Sequence, residues 1–346
     1  MQTNIQQRIQ RWNDFWVEDG RGKTRLVINC AEGAPPWVWP HPDQVEARLE
    51  NSWRAYSLQM ERLEAWRDDT VPCLSLGTGT EVWAEALGCA VHRPGTTMPM
   101  ALPFVRTARE AAAVKVPRLE DSSLAWWFEK MDALRRRAGR DALVRLPDMQ
   151  SPMSVAAQIW DKAEFFTAMI EEPEAVRELA LKARELIASF CDRFFERYGT
   201  AFIAHHPAYY MPSGVTFSED EVGSVNTAMF DEFFLGDLDW FSERYGGMGL
   251  HCCANAEHQW ANFTKVKGLR LMNFGNKLGY VQRAHSYFTG KCALWNNENN
   301  RPVPAKNFNE LPPGIPEHCR YVANLHVDTV GDAKRLSDIF YKESAL

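Results

Sequence analysis

His251 and Cys253, one residue apart, carry the sharpest chemical signal in the chain. They close the run Gly249-Leu250-His251-Cys252-Cys253, which reads as a short buried strand. Side chains on a strand alternate between its faces, so His251 and Cys253 point one way and Cys252 the other. An imidazole and a thiolate converging at a strand end supply two donors suited to Zn²⁺. The plain alternative is that both are core residues, since free cysteine is among the most buried residue types. A catalytic zinc needs three protein ligands and one open position. Glu219, Asp220, His326 and Cys292 are the candidates for the third, and spacing does not choose among them.

The elements that must position these groups alternate in type. An amphipathic helix over 1–23 carries Ile5, Ile9, Trp12 and Trp16 on one side. A strand over 25–30 leads into the stiff loop 34–42, where two tryptophans among prolines suggest a lid or rim. A helix over 42–67 follows, then a strand over 72–76 closed by Gly77-Thr78-Gly79-Thr80. That turn lacks the P-loop lysine and the full dinucleotide fingerprint, so it reads as strand-to-helix turn chemistry. Residues 89–117 read as an insertion. Further strands are predicted over 142–146, 201–206, 249–253, 292–295 and 320–326, with another buried strand ending near Phe274. Helices near 122–139, 173–198, 227–244, 279–288 and 330–341 separate them, and 207–222 reads as a loop. Strand-helix alternation implies a parallel sheet. About eight such units without a dinucleotide signature favour an α/β fold of the (β/α)8 TIM-barrel type with an N-terminal helical extension. The expected organisation is one domain over 1–346. Residues 1–70 give the N-terminal helices, first strand and Trp/Pro-rich lid, and 71–346 the remaining barrel.

In such barrels the site lies at the C-terminal strand ends. This chain brings Asp148 and Gln150 there, then His205 and His206, Glu219 and Asp220, His251, Cys253 and Asn255, Asn273, Asn296 and Asn297, and His326 and Asp328. Cys292 and Cys319 start their strands and belong to the other mouth. His326 ends the last strand and is the favoured third metal ligand. Glu219 and Asp220 are the candidate catalytic carboxylates; Asp148, Gln150, Tyr210, Asn255 and Asn297 are the candidate substrate contacts. The bland readings are that His205 and His206 pack or cap a loop, and that Glu219-Asp220-Glu221 is acidic charge suited to a helix N-terminus.

The composition narrows the class. Hydrophobic residues make up 45% and charged residues 24% of 346, ordinary for a globular enzyme. The net charge is −6 with no basic stripe, which argues against nucleic acid as a partner. The N-terminus lacks the apolar core of a signal peptide, and no run approaches a membrane span. Eight cysteines without a framework pattern suit a reduced, cytoplasmic chain. Thirteen tryptophans and nineteen phenylalanines mostly pack, though some could line a cavity for a flat ligand. A small-molecule substrate is expected, and a homodimer is left open.

The segment Gly249-Leu250-His251-Cys252-Cys253-Ala254-Asn255, with Met229-Phe230-Asp231-Glu232-Phe233-Phe234 before it and a helix ending at Tyr245-Gly246, resembles the uroporphyrinogen decarboxylase superfamily. It is similar above all to the cobalamin-linked methyltransferase branch, which carries a His-x-Cys pair on a barrel strand. Asp148-Met149-Gln150-Ser151-Pro152 and Ala293-Leu294-Trp295-Asn296-Asn297 resemble other strand ends of that family. The resemblance spans roughly 70 to 340 and implies a (β/α)8 barrel with a central cleft. In the methyltransferase branch His251 and Cys253 would bind Zn²⁺, which would hold a substrate thiol as thiolate for attack on a methyl group carried by a corrinoid on a partner protein. That branch has another cysteine after the last strand. This chain has Leu325-His326-Val327-Asp328 there, and Ala254 where a glycine is usual, so His326 or Glu219 would complete the metal site. Decarboxylation of a porphyrinogen or another carboxylated small molecule is the alternative, with Asp148 or Asp220 steering the substrate. Against it, residues 34–41 lack the arginine pair that a polycarboxylate would need. A non-catalytic binding barrel is the third reading.

Overall fold

The computed structural model describes residues 2–17, 24–275, 278–296 and 319–343. In chain order the strands are β1 (Thr24–Cys30), β2 (Cys73–Leu74), β3 (Ala90–His92), β4 (Met100–Leu102), β5 (Leu143–Val144), β6 (Phe202–Ile203), β7 (Tyr210–Met211), β8 (Val215–Ser218), β9 (Met248–Cys252), β10 (Leu269–Phe274), β11 (Ala293–Asn296) and β12 (Tyr321–Val327). A parallel sheet runs in the order β1-β12-β11-β10-β9-β8. β2 and β5 form a second parallel pair. The two join where the chain after β5 bridges at Gln150 to Ser218 of β8. Eight parallel staves, β1, β2, β5, β8, β9, β10, β11 and β12, thus follow one another around a (β/α)8 ring.

The register sorts the faces. Ser218 pairs with His251, His251 with Asn273, Asn273 with Trp295, and Trp295 with Val322. Registered neighbours on parallel strands share a face. This row lines the inside: the Trp295 ring lies 5.8 Å from that of Tyr209. Tyr209 in turn lies over Gly249, where an added Cβ would fall 1.9 Å from its hydroxyl. A side chain on this stave position would have no room, which is why a β-breaking residue sits mid-strand.

The fourth stave corrects the sequence reading, which gave it to 201–206 and made 207–222 a loop. The structure divides the job. Leu146 donates its N–H to Ile203 low on the wall, but the chain then folds back as the antiparallel hairpin β6–β7. Four positions further along the β5 stave, Gln150 meets β8 instead. β8 is short and carries Thr216 and Ser218 inward, so it lacks the apolar run that marks a buried strand.

The ring is closed differently between β1 and β2. Among the described residues no ladder joins them. The N–H groups of Leu26 and Ile28 donate to the carboxylates of Asp69 (2.9 Å) and Asp68 (3.2 Å). Two side chains thus satisfy an edge that a strand would otherwise pair. The N-terminal helix Gln2–Trp16 braces them: Arg8 binds Asp68, Arg11 binds Asp69, and Trp12 Nε1 donates to the Asp69 carbonyl at 2.7 Å. Removing Arg8 would strand a buried carboxylate, a loss of roughly 3–5 kcal/mol.

The insertion over 89–117 is the hairpin β3–β4 followed by a helix, Ala108–Ala113, whose start is fixed by a Thr107–Glu110 capping box. The Pro-rich loop touches the turn that follows β2. The Trp37 indole lies on Gly77 so closely that a Cβ there would come within 2.6 Å of it, while Trp37 stays 62% exposed.

Candidate functional site

β8 ends at Ser218 and β9 at Cys252, and residues at and just beyond these ends meet. One ligand atom each from Asp220, His251 and Cys253 converge, all within 4.8 Å of one another. The Cys253 N–H donates to Asp220 Oδ1 at 2.6 Å and its thiol donates to Asp220 Oδ2 at 3.0 Å. The carboxylate is thereby held against the sulfur. Partial burial and then the Asp220 carboxylate push the Cys253 thiol up to about 12. Without a cation the sulfur therefore keeps its proton at neutral pH and is a poor nucleophile.

His251 is oriented by a buried amide. Asn273 Nδ2 donates to the Trp295 carbonyl at 3.1 Å, so Oδ1 must face His251 and accept from its Nδ1–H at 2.5 Å. That leaves Nε2 without its proton and available as a ligand, the usual way a metal-binding imidazole is steered. The ring of His206 stands edge-on to that of His251, with centroids 4.5 Å apart.

The other expected residues fall in separate places. Asp148 and Gln150 lie beside the group on the next stave: Gln150 Nε2 donates to Asp148 Oδ1 at 2.6 Å. Burial raises the Asp148 carboxyl, and both His251 and Asp220 act on its charge. Glu219 turns the other way, to the start of the helix Pro152–Ile159. There it accepts from Ser151 and, at 3.1 Å, from Ser154. Burial pushes it up to about 8. His205 is packed between Thr216 and Ser218, with its ring nitrogens 2.7 and 2.9 Å from their hydroxyls. Asn255 is exposed in the loop after Cys253. His326 lies one residue before the end of β12 but is not in the converging group; its Nε2 lies 3.1 Å from Asn324 Nδ2, and burial lowers its pKa. Tyr210 lines a cavity beside β1 and β2. Asn297 lies outside the described residues.

Sequence reasoning passed over Glu81, two residues past the Gly-Thr-Gly turn at the end of β2. It is only 3% exposed, and among the described residues its Oε2 has no hydrogen-bond partner. Burial pushes the carboxyl up to about 7, against the pull of Arg93. A lone acidic residue at a barrel strand end was the available signal, and the glycines beside it drew the reading toward the turn instead. The turn is stapled to the neighbouring stave: Asp148 N–H donates to Thr78 Oγ1 at 2.9 Å, and Trp83 Nε1 donates to the Asp148 carbonyl at 2.6 Å.

No described helix is long and apolar enough to cross a membrane. No curated protein matches the chain. A methyltransferase from Methanosarcina mazei superposes with a TM-score of 0.66 at 14% identity, over 96% of this chain and 98% of that one, which shows a common fold. Residues 74–287, most of the barrel from β2 through β10 and the whole of the converging site, match the uroporphyrinogen decarboxylase (URO-D) family. The chain belongs to that family.

Proposed function

We propose that the chain is a zinc-dependent methyltransferase whose metal activates a small thiol, with a corrinoid on a partner protein as the methyl source. The observation that carries this reading is the convergence of Asp220, His251 and Cys253. The donor set suits the ion. Thiolate, carboxylate and neutral imidazole together carry two negative charges and supply S, O and N atoms, all accepted by Zn²⁺. Three protein donors at a strand end leave a fourth position for a guest. When bound, Zn²⁺ lowers the pKa of a substrate thiol and keeps it as thiolate near neutral pH.

The chain's own residues do the rest. Asp220 accepts the Cys253 N–H and so fixes the sulfur at the mouth. Asn273 sets the tautomer and ring orientation of His251. Asp148 and Gln150, bonded to each other on the adjacent stave, offer an acceptor and donors to the polar part of the substrate. Glu219 serves in this reading as a support, anchoring the Ser151 helix start beside Asp220. The methyltransferase activity named for the Methanosarcina mazei protein supports the methyl-transfer half of the proposal.

Metal content tests it. Protein purified with zinc present should hold one zinc per chain. The His251→Ala/Cys253→Ala variant should lose it, Asp220→Ala should hold it weakly, and His326→Ala should keep it. Zinc-free wild-type protein, or equal retention by the double variant, would end the proposal. Loss in His326→Ala with retention in Asp220→Ala would return the third ligand to the last strand.

A further inference from the structure

The side-chain closure between β1 and β2 leaves a cavity of about 470 Å³ in the wall. That is roughly three times the 150 Å³ that holds a benzene ring in an engineered core, so there is room for two rings and their substituents. None of Asp220, His251 and Cys253 lines it. Its surface is mainly apolar and aromatic, with Trp12, Val27, Leu58, Trp66 and Tyr209 among the walls.

Its charges are already spent. Arg8 is taken by Asp68 and the Thr70 carbonyl, Arg62 by the carbonyls of Cys30 and Glu32, and Arg145 by those of Ala204 and His205. Asp68 and Asp69 are held by Arg8, Arg11 and the N–H groups of β1. At the outer rim stands the exposed side chain of Asp328, an acidic residue. A carboxylate or phosphate ligand would meet no uncommitted cation and would give up its hydration for nothing.

The hydrogen-bonding groups left over are neutral. Asn29 Nδ2 donates to Asn324 Oδ1 at 2.6 Å, which fixes the Asn324 amide with Nδ2 toward His326 Nε2 at 3.1 Å. The His326 proton is thereby kept on Nδ1, a donor at the rim. Tyr210, 5% exposed, is another of the lining residues and carries a phenol hydroxyl. The geometry points to a second binding site, in this seam, for an uncharged ligand of one or two rings bearing a hydroxyl or carbonyl group. The rings pack among Trp12, Trp66 and Tyr209, and the polar group reaches Tyr210 or His326. The site stands independently of the metal reading, since it shares no residue with the converging group.

Calorimetry at neutral pH with 2-naphthol and 2-naphthoate, the same ring frame with and without charge, tests this. 2-Naphthol should bind the whole protein with a submillimolar Kd, and 2-naphthoate at least about tenfold more weakly. Ala55→Phe, which fills the cavity from the helix Val45–Arg62, should weaken 2-naphthol about tenfold or more. Tyr210→Phe, which keeps the ring and removes the hydroxyl, should weaken it about fivefold. His251→Ala/Cys253→Ala should bind it as wild type does, whatever the zinc content. Equal affinity for both probes, no binding of 2-naphthol, or loss in the metal-site variant with retention in Tyr210→Phe and Ala55→Phe would each overturn the proposal.

Discussion

Replacing Glu81 by Gln should change how stability responds to pH, and the size follows from its surroundings. The carboxyl is almost wholly buried, one of its oxygens has no partner among the described residues, and its pKa rises from an ordinary 4.5 to about 7. Below pH 4.5 the group is protonated in both folded and unfolded chains and contributes no slope. Between 4.5 and 7 the unfolded chain ionises while the folded one keeps its proton, so stability falls as pH rises. Above 7 both are ionised and the slope ends. The interval is about 2.5 pH units at about 1.4 kcal/mol each, roughly 3.5 kcal/mol in all, of which about 3 falls between pH 4.5 and pH 8. Glutamine fills the same space and never ionises. Urea unfolding of wild type and Glu81→Gln, at about pH 4.5 and about pH 8, should therefore show the variant gaining about 3 kcal/mol on wild type between the two conditions. The double difference cancels every other titrating group. A gap between the two proteins that stays constant within about 0.5 kcal/mol would refute the reasoning, and so would a gap that moves the other way.

Asn273→Leu should weaken zinc binding about 10- to 100-fold in competition with a chelator, because His251 loses the acceptor that fixes its tautomer, whereas Asn273→Asp should stay within a few-fold of wild type. Gly249→Ala should cost about 1–3 kcal/mol in urea unfolding, since the new methyl would fall 1.9 Å from the Tyr209 hydroxyl. Adding Tyr209→Phe to that variant should recover at least half of the loss, and no recovery would place the strain elsewhere.

The sequence spoke most clearly where periodicity and punctuation agreed. The helix Pro173–Tyr198 has the bounds and the buried stripe its 3.6-residue pattern predicts, with Pro173 at its first turn and Gly199 after its end. The outer staves β1 and β12 read as apolar runs and are so. β8 was missed because two of its four residues are inward hydroxyls, and a hairpin with Pro207 nearby looked like a long loop. His251 and Cys253 were legible as a pair because strand alternation alone puts them on one face. Their companion Asp220 was named among several candidates, and only the pairing of β8 with β9 brings it to the sulfur. Spacing carries no record of which strand end lies beside which, and this is why His326, near the end of the last strand, was favoured over Asp220. Glu81 shows the converse: its sequence setting is visible, but that its Oε2 has no hydrogen-bond partner among the described residues is a property of packing.

The pairing of β1 also bears on how the chain is made. Among the described residues its one ladder partner is β12, with Thr24 beside Tyr321 and Cys30 beside Val327. During synthesis the ladder of β1 therefore cannot form until residues 321–327 have left the ribosome. Contacts of such long separation form late and leave an unpaired edge exposed meanwhile. Asp68 and Asp69, only about forty residues further along the chain, are the much nearer partners of the same strand.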